Sequence, residues 1–588
     1  MVAGVIALLI ISSFSAYRSL SQARRLLNQA HVTITASIGN ESDLTSPSGR
    51  TKALLGVAQV SADAAQAERD LHSSFGLSVL GVLPLLHTQR DGLLQLVDNL
   101  RASATTGGVL IRQVDALAGA SAGTDIALPH LRELQTTVAA AHTQFASYDR
   151  PSTGLWGPLG TAQREFDRED VKITQLLADG NRAMSYALPF LGTDGPRNYL
   201  VMGENNAEMR DEGSTLSYSL LHTSNGVITE SPGGSVDDIE PTAPVPGVPI
   251  PAGTEADFGE LDPTGIWQST NATANFTFSG LDMDHMLADT TGVHVDGVIG
   301  IDVVALEALL GLTGPVTVAG IPEPVTSQNA AYVLLDQLYA GLPPGSSQGS
   351  RREALGAVAS AVFHQLGVQK IDVIDLARTL ATETTERHLQ LWDSNSRYER
   401  TITRLGASGD IDTDDPTRTF HVAVENATAT KLDYFVDVSV SDTVTISPNG
   451  SATVDTSVKL TNHAPAGQPP SYQLGPDDVN TFVSGEYIGR VFLWGPRGSV
   501  QKGSVDESGL SLANEVDLPV MPGKSATAHF ATTIPDAIQH DQLRLIFVPQ
   551  PRLAPESLAV HVLASGTQTT VRRSLTKTTT LTWEFQRT

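Results

Sequence analysis

Between positions 204 and 212 the chain sets Glu204, Asn205, Asn206, Glu208, Arg210, Asp211 and Glu212 almost side by side. A guanidinium in such a patch can grip an anionic or sugar ligand through a planar fork of donors, and the two amides add paired donors and acceptors. Glu208, Asp211 and a more distant carboxylate, Asp262, could hold a Mg²⁺ ion or act as a base. Trp267 offers a ring on which a sugar could stack. The same residues also make an internal ion-pair cluster, because Arg210 stands beside four carboxylates. One arginine among so many acids attracts an anionic ligand weakly unless a metal or further cations join it. Arg197 and Lys431 are the basic partners the sequence offers.

Tyr199-Leu200-Val201-Met202 reads as a buried strand, Gly203 as a turn, and the polar patch as the loop that follows. Gly213 then leads into a second strand, Leu216 to Thr223, closed by Asn225-Gly226. A strand that delivers polar groups to a loop at a sheet's edge is how α/β folds present a site. Further on, Ser231 to about Gly259 is a loop rich in Pro, Gly and acid. A helix is expected from Leu281 to about Thr291. Val298 to Ile301 reads as a strand, Asp302 as the cap of a helix from Val303 to Leu310, and Val316-Thr317-Val318 as another strand. Strand, helix and strand in so short a span predict a βαβ unit with a parallel pairing in a mixed sheet. Helices follow over Arg351–Leu366 and Ile371–Leu391.

From about Gly409 the period changes to two. Phe420–Val424, Tyr434–Val440, Ala452–Leu460, Ile488–Leu493 and Leu543–Val548 alternate or are β-branched, and Asn449-Gly450 is a hairpin turn. These short strands predict a β-sandwich. Upstream, apolar residues recur at three and four spacing, as in Ala53, Leu54, Val57, Val60 and Ala64, so 18–191 reads as a helical stalk or bundle. The expected fold is multidomain α+β: an anchor over 1–17, the stalk over 18–191, a central α/β domain with a mixed sheet over 192–404, and a β-sandwich region over 405–588.

The formal charge is −26, from 38 basic and 64 acidic residues. That argues against nucleic acid as a partner, which needs a basic face. Cysteine is absent, so there is neither a disulfide framework nor a thiolate metal site. Residues 2–17 are uncharged and mostly apolar; about 16 helical residues span about 24 Å, a little less than the ~30 Å hydrocarbon core. They read as a retained N-terminal membrane anchor with the bulk of the chain extracytoplasmic, although the arginines that follow rather than precede the run oppose that orientation. Gly345-Ser346-Ser347-Gln348-Gly349 has the Gly-x-Ser-x-Gly form but lacks a strand leading in. Asp410, Asp412 and Asp414 have the odd spacing of a calcium loop, yet Asp415 and His421 stand where Gly and Glu belong, so a solvated acidic turn is expected.

At Asn205-Asn206-Ala207-Glu208-Met209-Arg210-Asp211-Glu212-Gly213-Ser214, at Val295 to Val318 and at Lys431-Leu432-Asp433-Tyr434, the chain resembles the domain of unknown function 4012 family of bacterial, largely actinobacterial, envelope proteins. Ser214 stands where that family's pattern has a second glycine. More distantly, the central segment is similar to the LytR–CpsA–Psr family, which moves glycopolymers from polyprenyl pyrophosphate to cell wall with arginines, carboxylates and Mg²⁺. That resemblance implies a related sheet. Three functions compete. One is binding or assembly of envelope or exported polysaccharide by a membrane-anchored protein, needing no cofactor. The second is transfer of a polyprenyl-linked glycan, with Mg²⁺. The third is a non-catalytic surface protein in which the polar patch closes the sheet.

Overall fold

The computed structural model describes residues 46–73, 84–119, 128–148, 157–346, 349–369, 371–411, 415–428, 430–476, 482–499, 510–564 and 567–585. The expected anchor at 1–17 lies outside them. No helix among the described residues is long and apolar enough to cross a membrane.

Two compact units make up the chain, the first up to Phe190 together with Asp372–Asp375, the second comprising the remainder. The first unit is helical: α1 Pro47–Ser73, α2 Pro84–Gly119, α3 Leu128–Ala146 and α4 Gly157–Phe190. Its core follows helical periodicity. Ala53, Val57 and Val60 of α1 pack with Ala104 and Ile111 of α2.

The second unit begins with three antiparallel strands, β1 Arg197–Met209, β2 Gly213–Ser224 and β3 Val227–Ser235. After α5 Ala252–Phe258 come α6 Phe276–Thr291, β4 Gly297–Ile301, α7 Val303–Thr313, α8 Gly349–Val368, α9 Val373–Thr385, β5 Leu389–Asp393 and α10 Ser396–Arg404. The five strands form one mixed sheet in the order β3-β2-β1-β4-β5. Caps set the helices that flank it. Asn275 accepts from Phe278 N at the start of α6, and Asp302 accepts from Ala305 N at the start of α7, as expected.

Three local expectations are corrected. Gly203 is not a turn: β1 continues through it, with a register shift against β2 between Gly203 and Glu204, and a Cβ there would meet the hydroxyl of Ser217 on β2. The parallel pairing is between β1 and β4, not between β4 and the segment after α7. Val316 makes only an isolated bridge to Val325. The helix expected to reach Leu391 stops at Thr385, and Leu389–Asp393 pairs antiparallel with β4. Its β-character comes from a vacant edge beside β4, which local sequence does not reveal.

From Thr419 the chain is β-structured: β6 Thr419–Asn426, β7 Val436–Ile446, β8 Ala452–Asn462, β9 Tyr487–Gly495, β10 Ser511–Val520, β11 Ser525–Ile534, β12 Ile538–Gln539, β13 Gln542–Val548, β14 Glu556–Ala564, β15 Thr567–Leu575 and β16 Thr579–Glu584. They form two sheets, β10-β9-β6-β13-β12 with β16 beside β13, and β11-β8-β7-β14-β15. Val436, Val438, Val440 and Val444 of β7 alternate inward and pack with Leu493, Leu545 and Val560 in one shared core. Each such side chain contributes about 1.5–3 kcal/mol on burial. One inward position is polar: Asp442 is buried and bonded to Thr456 at 2.6 Å on the neighbouring strand.

Candidate functional site

The polar patch is not a loop. Glu204 to Met209 continue β1, and the hairpin to β2 closes over Arg210, Asp211 and Glu212. Every charged side chain in it is buried: Glu204 is 4% exposed, Glu208 7%, Arg210 8%, and Asp211 and Glu212 0%. Burying so many polar groups is costly unless they find partners, and most do, although Glu204 Oε2, Arg210 Nε and Glu212 Oε2 have no hydrogen-bond partner among the described residues. Most of those partners come from chain that is remote in sequence.

Arg210 donates through Nη1 to the carbonyls of Met209 (3.1 Å) and Asn426 (3.2 Å), and its Nη2 lies 4.0 Å from Glu208. Glu208 is ion-paired with Lys431, itself 1% exposed. Burial alone would raise Glu208, but the Lys431 ammonium and then the Arg210 guanidinium outweigh it and hold the carboxyl below its ordinary value. Asp211 takes Arg387 at 2.9 Å on one oxygen and His421 at 2.6 Å on the other, and these cations depress it against the effect of burial. Glu212 shares Arg387 at 2.8 Å, yet burial and the neighbouring Asp211 charge raise it well above a normal glutamate.

The amides are equally engaged. Asn205 donates to the Tyr339 hydroxyl at 3.1 Å, and its Oδ1 accepts from Ala207 N at 2.8 Å. Asn206 donates to Asp302 at 2.8 Å and to the carbonyl of Pro551 at 3.0 Å. Asp302, besides capping α7, holds His388 at 2.5 Å.

In open α/β sheets, ligands bind outside the carboxyl ends of parallel strands. Here the end of β1 meets the segment 549–552 between β13 and β14. Arg387 Nη1 donates to the Pro549 carbonyl at 2.7 Å, and Gln550 Nε2 to the Arg210 carbonyl at 2.6 Å. Arg552 donates to Asp433 at 2.8 Å, and Asp433 also accepts from Met209 N at 3.1 Å. A hollow inside the sandwich is lined by Phe420, Val440, Asp442, Thr456, Leu493 and Glu556 among others, and by none of residues 204–212.

Two sequence-derived candidates lie elsewhere. Trp267 offers no stacking face: it is 0% exposed, packed with Phe276 and Met283, and its indole N–H donates to the Ile239 carbonyl at 2.9 Å. Asp262 is half-buried at the end of a short 3-10 turn, in a left-handed backbone conformation. Of the two basic partners the sequence offers, Lys431 arrives at Glu208, whereas Arg197 sits at the opposite end of β1 with Asp393 at 2.6 Å. Sequence reading passed over Arg387, His388, His421, Gln550 and Arg552. One signal was available: His421 and Glu425 interrupt the apolar strand Thr419–Asn426, which is buried along its whole length. Charge in such a strand demands a partner.

Gly213 must be glycine, since a Cβ would come within 2.8 Å of Asn205 N and 2.9 Å of its carbonyl carbon. The next position is less constrained. Ser214 is fully buried there and its hydroxyl donates to the Gln268 carbonyl at 3.2 Å. Both neighbours of the hairpin at this point are parts of the same chain.

Residues 194–339 match the family model described as a protein of unknown function (DUF4012). The matched span includes β1 to β4 and α7 but not the sandwich residues that complete the network. No curated protein and no solved structure matches the chain.

Proposed function

We propose that this chain is a non-catalytic structural protein of the cell envelope, in which Asn205–Glu212 fastens an α/β sheet to a β-sandwich. The observation that carries this reading is the placement of Arg210. Its Nη1 serves two backbone carbonyls, its neighbours Glu208 and Asp211 are paired to Lys431, Arg387 and His421, and all of them are buried. A pyrophosphate-handling arginine needs donors facing a space that a substrate can enter. The apolar run 2–17 and the acidic body support an anchored, extracytoplasmic location. In this reading, any contact with polysaccharide falls to surfaces other than residues 204–212.

The test is incubation of the soluble ectodomain with a labelled polyprenyl-pyrophosphoryl glycan and Mg²⁺, comparing wild type with Arg210→Ala. Neither protein should turn over or retain the glycan through Arg210, while the substitution should lower stability by about 2–4 kcal/mol because it strips charge from a buried network. Turnover by wild type that disappears in a folded Arg210→Ala protein would establish the phosphotransferase instead.

A further inference from the structure

The Thr277 hydroxyl, in the first turn of α6, touches two carboxyl groups at once. Its Oγ1 lies 2.9 Å from Glu399 Oε1 on α10 and 2.7 Å from Asp410 Oδ2 on the segment that follows α10. All three residues are half-buried, so Asp410 is not part of a freely solvated acidic turn. A hydroxyl has one proton to give, and an ionised carboxylate only accepts. With both acids ionised, one of the two contacts would press lone pair against lone pair. The three oxygens form a hydrogen-bonded chain only when one carboxyl carries a proton of its own and donates it to Thr277.

The surroundings decide which acid that is. Asp410 is well supplied with donors: Thr277 N reaches its Oδ1 at 3.0 Å, Ser408 also hydrogen-bonds it, and the Arg387 guanidinium is within electrostatic reach. It lies at the positive end of α6, which favours its anion further. Glu399 accepts from Asp393 N at 2.8 Å through Oε2, and the charged groups that face it, Asp410 and Asp393, are both carboxyls. Asp393 is itself engaged by Arg197 at 2.6 Å. Burial, with these acids beside it, lifts Glu399 to about 7, whereas the donors restrain Asp410 to about 6.

This contact sits on a sheet edge. β5 is the last strand of the five-stranded sheet, and α10 and the turn after it cover its free side. Leu391 N donates to the Ala407 carbonyl at 2.9 Å, and Asp393 N to Glu399. An uncovered edge strand is a template for pairing with another chain.

We propose that Glu399 is a proton-dependent clasp: protonated, it donates to Thr277 and holds α10 over the free edge of β5; ionised, it is repelled by Asp410 and loosens α10 from that edge. The sign follows from linkage. The folded-state value stands above the unfolded one of about 4.3, so the contribution is fully present below the unfolded value and is lost as pH rises through about 7.

The experiment is amide hydrogen exchange at Leu391 and Asp393 between about pH 5 and 8, corrected for intrinsic rates, in wild type, Glu399→Gln and Glu399→Ala. Wild-type protection should fall by up to about tenfold per pH unit between about pH 5 and 7 and then level off. Glu399→Gln puts an NH₂ where the proton sits and keeps an oxygen for Asp393 N, so its protection should stay high and independent of pH. Glu399→Ala should be weakly protected throughout. In wild type alone, carbon NMR of the Glu399 carboxyl should show it titrating near 7, a reading that needs no variant to fold. Titration below about pH 5, or a Glu399→Gln profile parallel to that of wild type, would overturn the proposal.

Discussion

Lys431 and Glu208 form an ion pair across 223 residues of chain, with the lysine 1% and the glutamate 9% exposed at the side chain. The pair joins the end of β1 to the connection between β6 and β7 of the β-sandwich. Breaking one partner of a buried pair leaves the other charge without compensation, which is costlier than losing the attraction alone.

Lys431→Met should therefore destabilise the second unit by about 3–5 kcal/mol, and the double variant Lys431→Met with Glu208→Gln by distinctly less. Denaturant unfolding of the single and double variants measures the difference. Equal losses in both would mean that the pair is screened and contributes nothing specific.

Arg387 bridges Asp211 and Glu212 and also donates to the carbonyls of Gly409 and Pro549. A lysine keeps the charge but cannot reproduce that fork. Arg387→Lys should thus lose about 2–4 kcal/mol. Hydrogen exchange should then show earlier opening around 549–552 than in wild type. Wild-type protection in that segment would refute the bridging role.

Gly213→Ala forces a Cβ against the backbone of Asn205, which cannot swing aside as a side chain could. About 2–3 kcal/mol should be lost, against less than about 1 kcal/mol for Ser214→Gly, which gives up one hydrogen bond. Thermal unfolding of the two variants in parallel tests the contrast.

The pH dependence has a definite sign. Burial pushes Glu425 up to about 8, against the lowering effect of Arg210, so the folded state holds a proton that the unfolded chain releases near 4.3. This contribution is fully present below the unfolded value and is lost as pH rises to about 8. Glu208 and Asp211, held low by their cations, act oppositely: their contribution is present above the unfolded values and is lost as pH falls into the acid range. Glu425→Gln should flatten the decline in stability between pH 5 and 8 without altering acid unfolding. A slope identical to that of wild type would show that Glu425 is already ionised in the folded protein.

Within the sandwich, Asp442 has Thr456 as its hydrogen-bond partner on the facing strand, and burial lifts its carboxyl to about 7. Thr456→Val keeps the shape and removes the donor. A loss of about 1–3 kcal/mol is expected, as for any buried acceptor left unsatisfied, and urea titration reads it directly.

The sequence by itself determined much of the scaffold. Apolar spacing of three and four gave the helices before Phe190, Asp302 announced the start of α7, and the two-residue alternation of segments such as Val436–Val440 and Ala452–Leu460 marked the sandwich. These are local signals, since each element must turn one periodic face to a core. The unusual chemistry of Glu204–Glu212 was legible in the same way, as composition. Its meaning was not. Read locally, seven polar residues after a glycine are a solvated loop. In three dimensions they are a buried strand end and hairpin, because Arg387, His421 and Lys431 arrive from 175 to 223 residues away. Whether a charged side chain faces water or a counter-ion is decided by which distant groups packing brings within about 4 Å, and the free energy of burial changes sign with that outcome.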